Sequence, residues 1–307
     1  MNPGPIVSLL PAATEMVCAL GAGPRLVGRS HECDYPPWVT RLPALTHPRL
    51  DPHAPPALLD RTVRELVRQA ASLYAVDDGA LAAVRPQVIV TQTQCEVCAV
   101  SVEEVHRALQ ATAGTAVRVA SLGGRDLAGV YADITAVGAA LDADAAAAQL
   151  VATMQAGLAA VRQASSGQAP VRTVCLEWLD PPMTGGHWLP ELVACAGGRE
   201  LLVRPGMRSR YTSFDEITAA DPDCIVVLPC GYGLATALEQ ARAVFATPAA
   251  AGLRATRIGR VYVADGNQHF NRPGPRLVES AEILAEMFHR TDDAHRAAGA
   301  WTPLTAA

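Results

Sequence analysis

Between Asp126 and Gln163 the chain carries no strand signal, only Ala-rich helical sequence, while alternating strand and helix patterns fill the sequence on either side. This reads as two α/β halves with a helical connection. Asp142 or Asp144 can cap a helix of about 22 residues that runs to about Ser165, a rod of ~33 Å at ~1.5 Å per residue. Leu150, Met154, Leu158 and Val161 fall on one stripe of it at three- and four-residue spacing. A rod of that length can bridge two lobes. The clearest boundary follows at Ser165-Ser166-Gly167-Gln168-Ala169-Pro170. At 307 residues the chain exceeds the usual single-domain size. The expected division is an N-terminal α/β lobe over 1–125, linker helices including the spine over 126–166, and a C-terminal α/β lobe with a tail over 167–307.

In the first half the patterns predict strands at about 6–10, 25–29, 87–91 and 116–120 and helices at about 14–21, 57–74, 77–84 and 101–113, a small parallel sheet covered on both faces. Pro43 to Pro56, rich in Pro and His, interrupts the alternation and reads as a surface loop. In the second half, strands are expected at about 171–177, 223–228 and 260–264 and helices at about 188–196, 213–220, 234–254 and 275–290.

Composition excludes several functions. The formal net charge is −5 with acids and bases interspersed, so no basic patch points to nucleic acid or an anionic membrane. All 25 basic residues are Arg; without Lys, Schiff-base and Lys-nucleophile chemistry are impossible. No apolar run is long enough to span a bilayer. The start, MNPGPIVSLLPAATE, has no basic region followed by an apolar core, and the eight Cys lack the rhythm of a disulfide scaffold. As written the chain therefore reads as cytoplasmic, or as periplasmic or extracytoplasmic if a leader has been removed. Neither a phosphate loop, a dinucleotide fingerprint nor a Ser-His-Asp context is present, so no nucleotide cofactor and no catalysis are expected.

The residues that bear chemistry sit where predicted strands end, the edge at which open α/β sheets bind ligands. The turn Arg29-Ser30-His31-Glu32-Cys33-Asp34 follows the second strand. His31, Glu32 and Cys33 are ligand candidates there, although His31 and Asp34 can also serve only to satisfy the turn. After the strand at 87–91 comes Cys95-Glu96-Val97-Cys98, which can be half of a zinc site, a redox pair or two ligand-lining thiols. The strand at 171–177 delivers Glu177 and Trp178, and His187 and Trp188 open the next helix. Trp at such an edge suits stacking on a large flat ligand, whereas Trp188 also fits a packed core. Tyr232 follows the strand at 223–228, and His269 and Asn271 the strand at 260–264. Neutral imidazole and thiolate bind zinc, iron, copper and cobalt, which makes His31, Cys95, Cys98, His187 and His269 the candidate metal ligands.

Five stretches, taken in order and spacing, carry a resemblance. They are Pro5 to Pro37; Arg85 to Val90; Pro182 to Gly186 with Ala196-Gly197-Gly198; Asp221 to Val227; and Phe270 to Arg276. From residue 5 to about 290 the chain resembles the cobalamin-binding (BtuF-like) substrate-binding proteins of ABC importers, in the wider helical-backbone class that carries iron-siderophores, haem, metals or corrinoids. The resemblance implies two three-layer α/β lobes joined by a single long backbone helix. It also implies a corrinoid or related metal-chelate in the cleft between them. An ABC permease would dock on an acidic residue of each lobe, matched here by Asp215 or Glu216 and, less closely, by Asp78. Two other readings stand beside it: direct binding of a transition-metal ion (Zn, Fe or Co), and a Cys- or metal-dependent enzyme.

Overall fold

Ile6, Val7, Val88, Ile89 and Val90 are wholly buried, which is the pattern of strands covered on both faces. They belong to a sheet in the computed structural model, which describes residues 4–51, 54–68, 73–93, 117–289 and 294–305. Two compact units divide the chain, one of residues 1–124 with 128–153, the other of residues 125–127 with 154–307.

The larger sheet of the first unit has four described strands, all parallel, β2 (Leu26–Arg29), β1 (Ile6–Ser8), β5 (Val88–Gln92) and β6 (Arg118–Leu122) in that order. The first helix, Pro11–Ala19, starts earlier than the expected position near residue 14. Pro11 fits its opening turn because the missing N–H is one that no helix partner would accept. Thr14 is therefore inside the helix, where it is wholly buried.

The stretch expected as a Pro/His-rich loop contains a strand. β3 (Thr46–Pro48) pairs antiparallel with β4 (Tyr74–Val76), and the helix expected to reach residue 74 is seen over Pro56–Arg68. Tyr-Ala-Val favours a strand, and pairing with β3 overrides the helical pattern before it. Just before β3, Leu45 N donates to Arg29 O at 2.8 Å, so this segment runs beside β2. Gly28 makes that approach possible, since a Cβ there would collide with the side chain of wholly buried Leu45.

Helices Leu127–Ala140 and Asp144–Ala164 fill the strandless stretch. Asp142 lies between them with φ 59° and forms a two-bond ion pair with Arg118, at 2.9 and 3.0 Å, so it does not cap the second helix. Met154, Leu158 and Val161 are buried and Leu150 partly so, as their shared stripe requires. The boundary between the two units falls inside this helix.

The second unit holds a mixed sheet of seven described strands in the order β10 (Arg210–Tyr211), β8 (Pro182–Thr184), β7 (Val171–Leu179), β11 (Cys224–Val227), β12 (Val261–Ala264) and β13 (Trp301–Pro303), with β9 (Gly198–Glu200) also paired to β7. β7 (Val171–Leu179), β11 (Cys224–Val227) and β12 (Val261–Ala264) are parallel neighbours. Val174, Leu176, Ile225, Val227, Val261 and Val263 pack with Ile217, Ala237, Ala241 and Phe245 of the covering helices. The short strands β8 (Pro182–Thr184), β9 (Gly198–Glu200), β10 (Arg210–Tyr211) and β13 (Trp301–Pro303) were not expected. The helix expected over 234–254 is broken into Leu234–Phe245 and Pro248–Ala251, because Pro248 cannot donate within a continuing helix but can begin a new one.

Candidate functional site

In the first unit, β2 ends at Arg29 and the chain turns through Ser30 to Asp34, with Cys33 N donating to Ser30 O at 3.1 Å. A polar cluster gathers on this turn. His31 Nδ1 lies 2.7 Å from Thr46 Oγ1, which also receives the His31 backbone N–H at 3.1 Å and is itself 3.1 Å from Ser30 Oγ. Tyr74 packs its ring 5.0 Å from that of His31, and its hydroxyl donates to Glu32 Oε1 at 2.7 Å. Burial, followed by the charges of His47 and Arg29, lowers the basicity of His31 and favours the neutral imidazole. Cys33 is 1% exposed, and its sulfur lies 3.0 Å from Thr14 Oγ1, itself 2.8 Å from Ser8 Oγ. That thiol holds the turn onto the first helix. Thr46 and Tyr74 were missed from sequence because both lie on the unexpected β3–β4 pair; the triplet Tyr74-Ala75-Val76 was the available signal.

The ligand candidates of the second unit fall into two groups. In the first, Trp178 stacks on Tyr232 with ring centroids 5.3 Å apart and planes at 26°, where β7 and β11 end. The Trp178 indole donates to Asp180 O at 3.0 Å, Cys230 N donates to the carbonyl of Glu177 at 3.1 Å, and both aromatic residues keep partial exposure. In the second, His187 stacks on Trp188 at 5.6 Å, and buried Trp188 donates its indole N–H to Phe270 O at 2.7 Å. Trp188 thus ties the start of its helix to the loop that carries His269 and Asn271. His187 has φ 58°, a left-handed backbone held by two hydrogen bonds to the loop 206–207, and its Nδ1 is buried without a partner among the described residues.

His269 is 7% exposed, and burial, followed by the charges of Arg276, His295 and Arg272, pushes its pKa down to about 4. Asn271 donates to Gly266 O at 2.8 Å and to Leu228 O at 3.1 Å, pinning the loops after β11 and β12 together. Cys95 and Cys98, with the helix expected over 101–113, lie outside the described residues. Among the described residues no three His, Cys, Asp or Glu side chains gather closely enough to hold a metal ion.

Of the acidic residues expected to meet a permease, Asp78 and Asp215 are exposed in the first turns of their helices. Glu216 is engaged within its own unit, accepting from Arg210 at 2.5 and 3.0 Å and from Thr212 at 2.7 Å. These bonds from Arg210 and Thr212 hold its pKa down at about 2.

Two units with parallel strands, aromatic and imidazole side chains at the strand ends and buried cores behind them define a two-unit α/β binding protein. Residues 6–267 match the family model of the periplasmic binding proteins, and the chain belongs to that family. No curated protein matches it. Among solved structures it is similar to the periplasmic heme-binding protein RhuT from Roseiflexus sp. RS-1, at 21% identity, TM-score 0.70, 94% of this chain and 99% of that one. A periplasmic heme-binding protein from Pseudomonas aeruginosa gives 20% identity and TM-score 0.69, with 99% and 96% covered. The periplasmic vitamin B12 binding protein BtuF of Vibrio cholerae gives 18% and 0.63, with 94% and 98% covered. Likeness at such identities establishes the shared fold. No helix among the described residues is long and apolar enough to cross a membrane.

Proposed function

We propose that this chain is the substrate-binding component of an ABC-type importer and that its ligand is a metal-chelate macrocycle of the corrinoid class. The observation that carries this reading is the Trp178–Tyr232 stack at the ends of β7 and β11. Two partly exposed rings held nearly parallel offer a flat apolar face, which suits a large planar ligand far better than a bare ion. His31, kept neutral, supplies a nitrogen donor of the kind that cobalt and iron accept. The heme and vitamin B12 named for the similar structures are ligands of this chemical type. Exposed Asp78 and Asp215 are the proposed contacts with permease arginines, and the working compartment is extracytoplasmic, as the family's name states.

Calorimetric titration with cobinamide, hemin and a ferric hydroxamate siderophore tests this. Binding of cobinamide at micromolar affinity or better, with hemin weaker and the siderophore silent, is the expected order. Heat from the siderophore alone would overturn the macrocycle reading, and tight Zn²⁺ or Co²⁺ binding with no chelate binding would replace it with direct metal capture.

A further inference from the structure

A buried carboxylate of the second unit ties down the end of the chain. Glu286 lies in the helix Leu277–His289 and is 5% exposed. Its Oε1 receives the backbone N–H of His295 at 3.0 Å and lies 2.7 Å from His295 Nδ1, while its Oε2 receives the Trp301 indole N–H at 2.8 Å. Burial works against a charge there, yet the bonds from Trp301 and His295 outweigh it and hold the pKa of Glu286 below the ordinary carboxylate value. At neutral pH the group is therefore ionised and only accepts. Trp301 is itself buried and meets the ring of buried Tyr262 edge-on, with centroids 5.4 Å apart.

From this clasp the contacts run on to the aromatic stack. β13 pairs with β12 up to Ala264–Trp301, and just beyond the last pair Asp265 N donates to Ala300 O at 2.9 Å. Asp265 Oδ1 receives the N–H of Gln268 at 2.7 Å and that of Asn267 at 3.0 Å. The Asn267 N–H is shared with Tyr232 O at 3.1 Å, so the loop that Asp265 organises also holds the backbone of Tyr232. Gly266 lets this loop lie directly on the segment after β11, since a Cβ there would collide with Pro229 O.

We propose that Glu286 and Trp301 are positioning residues for ligand binding: by clasping the C-terminal tail they brace the loop 265–268, and through it they set Tyr232 against Trp178. This rests on the reading of the Trp178–Tyr232 stack as the platform for the chelate. It brings the tail into the binding machinery, acting through Tyr232.

The test uses Trp301→Phe, which keeps a ring but loses the N–H, and the milder Glu286→Gln, whose carbonyl still accepts one bond. Hydrogen exchange of the Asn267 amide in ligand-free protein should quicken by about ten-fold or more in Trp301→Phe and less in Glu286→Gln, with the amides of Ile89 and Val90 in the other unit unchanged. Calorimetry with diaquocobinamide should show binding weakened by about 2- to 10-fold in Trp301→Phe. A scaffold role and a positioning role part in the double variant: if the tail acts through Tyr232, Trp301→Phe costs little further affinity once Tyr232→Ala is present, whereas independent roles give additive losses. Unchanged Asn267 exchange in both tail variants would overturn the proposal, and so would additive losses of affinity. Should the wild type bind neither diaquocobinamide nor hemin, the platform reading fails by itself, and the exchange result still decides whether the tail braces the loop at Tyr232.

Discussion

The indole of Trp178 lies on the phenol ring of Tyr232, their centroids 5.3 Å apart and their planes 26° from parallel. Neighbouring parallel strands produce this pair: β7 and β11 run in register from Thr173–Cys224 to Leu176–Val227, and each delivers one ring just beyond its last paired residues. Trp178 is fixed further by its bond to Asp180 O. Both rings keep partial exposure, and under the proposed function they meet the ligand. Trp178→Ala or Tyr232→Ala should therefore weaken chelate binding by about 2- to 10-fold each, in line with the worth of one aromatic stack. The midpoint of urea unfolding without ligand should move little. Unchanged affinity measured by calorimetry would return both rings to the scaffold.

Trp188 is the contrasting case. It is 6% exposed and donates to Phe270 O at 2.7 Å, so its work is structural. Trp188→Ala should cost about 3–5 kcal/mol of stability. Trp188→Phe keeps most of the apolar volume but strands a buried carbonyl, and should cost about 1–3 kcal/mol. Chemical denaturation of the two variants checks both values. A Trp188→Phe protein as stable as wild type would mean the indole N–H is not holding the loop.

His269 makes stability depend on pH. Its folded-state pKa, pushed down to about 4 by burial first and by Arg276, His295 and Arg272 after it, lies below the ordinary value near 6.5. The unfolded chain then takes up a proton at a pH where the folded protein refuses it. Stability from this group is complete above about pH 6.5 and declines as pH falls toward 4. His269→Asn should flatten the loss over that interval in denaturation curves taken at successive pH values. A slope identical to wild type would show that other groups set the acid response.

Glu216 acts at lower pH. Bonds from Arg210 and Thr212 hold its pKa down at about 2, below its ordinary value, so its contribution is present above the ordinary carboxylate range and fades as pH drops toward 2. The pair is partly exposed, at 39% for each side chain, and solvent screening limits its worth to below about 1 kcal/mol at neutral pH. Glu216→Gln should therefore lower the unfolding midpoint slightly at pH 7 and not at all near pH 2. Asp215, exposed on the same helix turn, should be silent in this measurement and matter only for a permease.

The two α/β patterns and the strandless helical stretch were legible in the sequence because long apolar runs and a clear helical stripe are local signals. Val88–Gln92, Cys224–Val227 and Asp144–Ala164 appear within a residue or two of their expected limits. What was not legible depends on pairing between distant segments. Thr46–Pro48 has almost no strand character alone and becomes a strand only against Tyr74–Val76; the tail strand Trp301–Pro303 likewise needs β12 beside it. The same limit applied to the candidate site. The places of His31, Trp178 and Tyr232 after strands were legible, whereas the contact of Thr46 with His31 was not, because it comes from a backbone 15 residues away in sequence that folds back beside β2. Cys33 and Trp188 show what residue type alone does not reveal, for both are buried, at 1% and 6% exposure.

The most direct test of the account is an absorption and fluorescence titration of ligand-free protein with diaquocobinamide. A saturable one-to-one shift of the corrinoid bands at micromolar concentration or below is expected, together with quenching of Trp fluorescence that is diminished in Trp178→Phe. A corrinoid spectrum identical to that in buffer, with Trp emission unchanged at saturating concentrations of diaquocobinamide and of hemin, would contradict it.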